Sequence, residues 1–247
     1  MTVVVRAALL LIGVVGLLWS SLVMPSFWLS APAHDVSDRI ISDARFRPGV
    51  LGAMLVRLEA VRQPIIMHPV IAWAKTLVQL RAAEEAVRRE RPDEADRQMA
   101  NAEQMLRSTL SLNPAESFLW MLLYSAETAR SGFDLQNVKY LNQSYLSGPN
   151  EGWIALRRSH LALSIFPLLS AVQQNQVVSE FARIVDADFI DQAALQLTTV
   201  GWLHRDRLLA SLEQVDIESR QALSRQLSND GFKFKIPGID AEERPWR

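Results

Sequence analysis

The chain has 247 residues, of which 49% are hydrophobic and 21% are charged, and its formal net charge is -1. This hydrophobic share is typical of a folded protein and argues against a disordered one. The near-neutral charge excludes a global field that would attract nucleic acid or an acidic membrane surface. The absence of cysteine excludes disulfides, thiolate nucleophiles and cysteine-based zinc sites. Abundant Ala, Leu, Arg, Gln and Glu and scarce Gly favour helix over sheet.

The first predicted element is an N-terminal hydrophobic helix. No charged residue lies between Ala7 and Ala33, and the stretch Ala7–Met24 is almost entirely apolar. At about 1.5 Å per residue it covers most of a hydrocarbon layer roughly 30 Å thick. We therefore predict a transmembrane helix that ends at Pro25, because proline lacks the N–H donor a helix needs. Arg6 precedes the apolar run, so the positive-inside rule predicts a cytoplasmic N-terminus and a periplasmic body at a bacterial inner membrane.

A cleaved signal peptide is the alternative for residues 1–33. Ala31, Pro32 and Ala33 form a small-residue pattern typical of a cleavage site. The apolar run is longer than a usual signal-peptide core of about 7 to 15 residues, which favours an uncleaved anchor over a signal peptide or a buried soluble helix. The first two interpretations agree that the body of the protein is exported.

Residues 34–91 are predicted to form a helical N-terminal region. Glycine and proline separate its segments. On the third helix, the i,i+4 pairs Glu84 with Arg88 and Glu85 with Arg89 are expected on a solvated face. The three expected helices cover about residues 36–44, 50–62 and 70–90.

Two similar segments follow. A helix is predicted to begin at Pro92, which suits a first helical turn, and to stop before Pro114. The stretch NPAESFLWM, which starts at Asn113, aligns with GPNEGWIAL, which starts at Gly148, at an offset of 35 residues. Pro114 matches Pro149 in this alignment. A period of about 34 residues is typical of stacked helical hairpins, since one hairpin alone cannot bury its apolar stripe.

The stretch AEQMLRSTLSLNP, from Ala102 to Pro114, resembles the second helix of a tetratricopeptide repeat. Ala102 takes its small position, Leu106 its bulky position and Pro114 its closing proline. The resemblance covers about residues 94–166 and is degenerate, since Thr109 stands where alanine is usual. It implies an all-α fold in which a tetratricopeptide-like array, either a solenoid or a bundle, follows one N-terminal transmembrane helix. A generic helical bundle with coincidental prolines is the alternative.

The array is assigned to residues 92–228 and a tail to residues 229–247. In the tail, Phe232, Phe234 and Ile236 alternate with Lys233 and Lys235. This strand-like pattern indicates either a tail packed on its own last helices or an exposed peptide that docks on a partner. The later helices are predicted at about residues 168–185, 187–202 (capped by Asp186 or Asp188), 205–215 and 217–228.

The sequence offers little for catalysis. It has no Gly-rich phosphate loop and no nucleophile elbow, and paired carboxylates such as Asp186 with Asp188 fit a solvated helix start better than an acid/base pair in a cleft. The four histidines have no metal-site spacing: His34, His68, His160 and His204. We therefore predict no catalytic residue, no cofactor and no metal, and do not expect an enzyme.

The resemblance also implies a concave groove lined by the first helix of each hairpin. Arg157 could pair there with a partner carboxylate, and Phe118 and Trp153 could be apolar anchors. The alternative is that both aromatic side chains belong to the core and that Arg157 is a surface charge. The implied groove residues are Phe118, Met121 and Ser125 in one repeat and Trp153, Arg157 and His160 in the next.

The predicted function is a membrane-tethered adaptor that faces the periplasm and binds a partner protein or peptide of the cell envelope. Envelope or polysaccharide assembly is the setting associated with similar anchored repeat proteins. A hydrolase of envelope glycans and a structural subunit of a homo-oligomer are the alternatives.

Overall fold

Every regular element that the structure describes is helical, which confirms the all-α prediction for those residues. The computed structural model describes residues 2–42, 46–47, 49–60, 69–88 and 92–239. Its α-helices are α1 (Thr2–Ile41), α2 (Val50–Ala60), α3 (Pro69–Arg88), α4 (Pro92–Leu112), α5 (Ser117–Ser131), α6 (Val138–Ser147), α7 (Gly152–Ser164), α8 (Ala171–Asp186), α9 (Ile190–Thr198), α10 (Arg205–Ala210) and α11 (Ile217–Asn229). Short 3₁₀ helices cover Leu135–Asn137, Phe166–Leu168, Trp202–His204 and Ser211–Gln214.

The first helix contains one candidate membrane span. The stretch Val5–Leu22 has a mean hydropathy of 2.0 over 18 residues, and none of it is buried within the protein. By length and composition it is long and apolar enough to cross a bilayer.

The prediction that Pro25 ends this helix is wrong. The helix continues without interruption to Ile41. Proline can donate no N–H to the preceding turn, but long apolar helices tolerate the loss of one backbone hydrogen bond. The separate helix predicted at residues 36–44 is therefore the end of α1, where Val36 and Ile40 are buried and the helix packs against α3. Residue 44 lies outside the described residues.

One compact unit comprises residues 1–114 and 125–132. Its centre is the contact between α3 and α4, where Ala74 and Ala102 are both fully buried and let the two helices approach closely. The hydroxyls of Thr76 and Thr109 lie 2.9 Å apart in this interior.

Arginine–glutamate pairs join α4 to α5 within the same unit. Arg130 donates to Glu103 over 2.7 Å, and Arg107 pairs with Glu127. Both carboxylates are buried, so the arginines compensate the cost of removing them from water.

The surface pair predicted on α3 is confirmed in part. Arg88 lies 3.8 Å from Glu84 at the expected i,i+4 spacing. The second predicted pair involves residue 89, which lies outside the described residues.

The second unit comprises residues 115–124 and 133–247. Its core lies between α6 and the last helices, and the largest fully buried apolar side chains there include Leu141, Ile154, Leu163, Phe181, Leu197 and Leu208. The helix predicted from residue 168 begins later, at Ala171, because Ser170 and Gln173 form a capping box.

The predicted cap of the following helix is also wrong. Helix α9 begins at Ile190, after Phe189, and not after Asp186 or Asp188. Asp188 adopts a left-handed backbone with φ 60° and accepts a hydrogen bond from Ser219. Both carboxylates thus bond to the segment around α11 instead of the amides of α9, since Asp186 accepts from the backbone N–H of residue 216.

The predicted tail follows α11 and packs on its own unit. Phe232 and Phe234 are half-buried and Ile236 is only 2% exposed, while Arg220 donates to the carbonyl of Pro237. The packed-tail interpretation therefore holds through residue 239, although the described part of the tail forms no strand. Residues 240–247 lie outside the described residues.

Candidate partner-binding face and its polar support

Helix α7 carries three of the six predicted groove residues on one face. Trp153, Arg157 and His160 follow the i, i+4, i+7 spacing that places side chains together on a helix surface. Trp153 is 39% exposed, Arg157 is half-buried and His160 is exposed. The opposite side of the helix, which includes Ile154 and Ala162, is buried.

Phe118 contacts this face from the protein interior. Its ring lies 4.7 Å from the ring of Trp153, and the Arg157 guanidinium lies 5.7 Å from its centroid. Phe118 is itself 3% exposed. The structure thus brings Phe118, Trp153 and Arg157 together, but only Trp153 and Arg157 present surface that an occupant could contact.

The other two predicted groove residues are placed differently. Met121 is 3% exposed and belongs to the interior. Ser125 is half-buried and belongs to the first compact unit, whereas Met121 belongs to the second. The face described here therefore consists of Trp153, Arg157 and His160, with Phe118 as its support, and we call it the α7 face.

A buried arginine lies next in sequence to the α7 face. Arg158 is completely buried, and it donates to the carbonyl oxygens of Ser144 over 2.7 Å and Gly148 over 3.1 Å. Its Nε donates to Glu180 of α8 over 3.1 Å, and its Nη2 pairs with the same carboxylate. One side chain on α7 thereby ties the end of α6 and the middle of α8 to the helix that carries the α7 face.

The start of α5 joins the same polar cluster. Ser117 donates to the carbonyl of Ser144 over 2.8 Å. A Cβ at Gly148 would lie 2.5 Å from the Cβ of Ser117, a distance that real side chains do not adopt. Glycine at position 148 is therefore required for this close approach between the end of α6 and the start of α5.

Burial dominates the electrostatics of the cluster. Removal from water raises the pKa of Glu180, and the hydrogen bond and charge of Arg158 offset this only in part. Burial, followed by the nearby charge of Glu180, raises the pKa of Tyr145 well above its usual value. The Arg158 guanidinium lies 4.1 Å from the Tyr145 ring. A side-chain hydrogen bond between Tyr145 and Glu180 adds to the raised pKa of the tyrosine.

A cavity of about 440 Å³ opens near this cluster. Its lining consists of Tyr145, Pro149, Val172, Asn175, Gln176, Ser179 and Arg183. Arg158 and Glu180 are not part of it, so the buried ion pair supports the fold instead of facing a ligand. Within the described ranges, no three acidic or histidine side chains come together as a set that could hold a metal ion.

Arg158 and Glu180 are functional-site neighbours that were not among the residues predicted from the sequence. A signal was present for Arg158, which lies four residues after Ile154 and four before Ala162 on the apolar stripe of its helix. A basic residue at a position of the apolar stripe is either buried with it or interrupts it, and a buried positive charge requires an acidic partner. The sequence does not show that this partner is Glu180 on the next helix.

No protein-family model matches this chain, and comparison with curated proteins and with solved structures also finds no match.

Proposed function

We propose that this chain is a membrane-tethered, periplasm-facing adaptor of helical-repeat type, whose α7 face binds a partner protein or peptide of the cell envelope. Envelope or polysaccharide assembly is the proposed setting. The observation that carries the proposal is the α7 face itself, where an exposed tryptophan and an arginine lie on a helix fixed by a buried ion pair.

The spacing of the helices supports a repeat. Helices α4 and α6 end at Leu112 and Ser147, which are 35 residues apart, and α5 and α7 begin at Ser117 and Gly152, which are also 35 residues apart. The matching prolines, at positions 114 and 149, lie in the two connecting loops. A regular period of this length supports two related helical hairpins.

The continuity of α1 supports the tether. The helix that contains the candidate span Val5–Leu22 also contains Val36 and Ile40, which are buried in the first unit. A single helix therefore leads from the proposed bilayer segment into folded protein without a linker. Arg6 at the N-terminal end of the span favours a cytoplasmic N-terminus, and tethering raises the effective concentration of the adaptor near membrane-bound partners.

The chemistry of the α7 face specifies a kind of partner segment. Tryptophan and arginine dominate binding energy in many protein interfaces. Trp153 offers a flat apolar contact, and Arg157, one helical turn further, can bind a carboxylate with two parallel hydrogen bonds. We therefore expect the partner to present an apolar side chain close to an aspartate, a glutamate or a C-terminal carboxylate.

The test is crosslinking followed by pull-down from native membranes. Trp153→Ala and Arg157→Glu should each reduce recovery of the partner while circular dichroism shows an unchanged helix content. The matched controls are Leu195→Ala, since Leu195 is an exposed apolar side chain on α9, and Arg225→Glu, since Arg225 is an exposed arginine on α11.

Recovery that is unchanged in both α7 variants, or equally reduced in the controls, would contradict the proposal. A crosslinked product with twice the mass of the chain would instead favour the homo-oligomer alternative, in which a second copy covers the face.

A further inference from the structure

A protruding apolar turn follows α9 in the second unit. Leu203 is 82% exposed and Trp202 is 39% exposed. The preceding Gly201 is buried, and a Cβ there would lie 2.8 Å from Leu208 Cδ1 and 2.9 Å from the carbonyl oxygen of Gln196. This close packing fixes the direction in which the turn projects, so the exposure of Leu203 is a feature of a rigid element.

The tail supports the turn with aromatic side chains. The ring of Trp202 lies 5.9 Å from Phe232 and 5.9 Å from Phe234, edge-on to both. The two phenylalanines stack on each other at 5.9 Å with an interplanar angle of 3°. Residues 202–207 and 232–236 therefore form one surface region, which we call the Trp202 corner.

The Trp202 corner is basic, although the chain as a whole carries a net charge of -1. Lys233 and Lys235 are exposed and alternate with the phenylalanines. Arg205 lies 4.7 Å over the Trp202 ring. Arg205 lies 3.8 Å from the carboxylate of Asp206, and Arg207 donates to Gln174 and Asn175. Lys233 and Lys235 are therefore the cations on which a contact with anionic headgroups would depend.

We propose that the Trp202 corner contacts the surface of a lipid bilayer that contains anionic lipid. Tryptophan is enriched at the boundary between headgroups and hydrocarbon, and surface-binding segments combine such apolar side chains with lysine and arginine. A single leucine that projects from a convex turn suits a fluid lipid surface better than a shaped protein groove. This inference uses the tether part of the proposed function, in which α1 anchors the chain in a bilayer.

The test uses a fluorescent probe at single positions of the full chain. The protein has no cysteine, so Leu203→Cys labelled with the environment-sensitive dye NBD gives one site. Leu146→Cys is the matched control, because Leu146 is 59% exposed on α6 of the same unit, and Leu17→Cys reports the candidate span. Each variant is reconstituted in vesicles of phosphatidylcholine, with or without phosphatidylglycerol, and quenched with brominated phosphatidylcholine.

When phosphatidylglycerol is present, we expect the fluorescence emission of the label at position 203 to shift to shorter wavelength and to be quenched by brominated lipid. The emission of the label at position 146 should be unaffected. Lys233→Gln combined with Lys235→Gln should lower the ratio of contacting to free molecules about 30-fold, which corresponds to about 1 kcal/mol for each cation. Both lysines are exposed, so the fold should not depend on them.

The outcomes separate this inference from the proposed tether. Quenching at position 17 without quenching at position 203 overturns the lipid contact and leaves the tether intact. Quenching at 203 but not at 17 supports the contact and contradicts the inserted span. Equal quenching at 203 and 146, or quenching at 203 that is independent of phosphatidylglycerol and of the two lysines, also overturns the inference.

Discussion

Replacing Arg158 by methionine should destabilise the second unit strongly. The change removes hydrogen bonds to the carbonyls of Ser144 and Gly148 and leaves the carboxylate of Glu180 buried without its cation. Removing one partner of a buried ion pair typically costs about 3–5 kcal/mol, because the remaining charge stays out of water. We expect a loss of unfolding free energy in this range.

The opposite replacement, Glu180→Gln, should be less harmful. Glutamine keeps an oxygen that can accept from Arg158 and removes a carboxylate whose pKa is raised by burial, although it leaves the guanidinium buried without a counter-charge. The expected cost at neutral pH is therefore smaller than that of Arg158→Met, which also loses the hydrogen bonds to two carbonyl groups. The asymmetry between the two variants, more than either value, tests the physical reasoning.

The assay is urea denaturation of the full chain in detergent micelles, followed by tryptophan fluorescence and by circular dichroism. Arg158→Lys serves as an intermediate variant, because lysine keeps the charge but not the planar group that reaches several acceptors. Equal losses for Arg158→Met and Glu180→Gln, or a larger loss for Glu180→Gln, would refute the claim that burial outweighs pairing at Glu180.

Three further predictions use the same assays. Because the pKa of Glu180 is raised by folding, the stability of wild type relative to Glu180→Gln should fall as pH rises through that pKa, and a flat difference between acidic and neutral pH would contradict this. Gly148→Ala should lower the unfolding free energy by about 1–3 kcal/mol through overpacking. Gly52→Ala is the control, because the new Cβ has open space around it, and it should stabilise its helix by about 0.5–1 kcal/mol. Equal melting temperatures for the two variants would argue against the close approach at position 148. Thr76→Val should cost about 1–3 kcal/mol by leaving the buried hydroxyl of Thr109 unpaired, and adding Thr109→Val should recover part of that loss, which a double-mutant cycle measures.

The sequence was most informative where local chemistry decides the structure. The prolines at 114 and 149 predicted the two loops, since proline cannot continue a helix, and the helices that follow begin with the predicted 35-residue offset. Pro25 shows the limit of that rule. It lies in a long apolar helix that continues into buried residues such as Val36, so longer-range packing prevailed over the local breaking signal.

The candidate site was only partly predictable for a similar reason. Helical periodicity places Trp153 and Arg157 on one face, but it cannot tell which of two stacked aromatic rings is covered by the other. Phe118 is the covered ring and Trp153 the exposed one. The acidic partner of Arg158 lies on another helix, and only the three-dimensional packing of α7 on α8 identifies it.

The most direct test of the account is site-specific photocrosslinking in intact cells. A photoreactive amino acid is placed at position 160, the exposed end of the α7 face, or at Leu112, which is 77% exposed, as a control. We expect a discrete adduct with a second protein from position 160, absent from the control and lost when Trp153→Ala is added. Adducts of equal yield from both positions, or none from position 160, would contradict the proposed function.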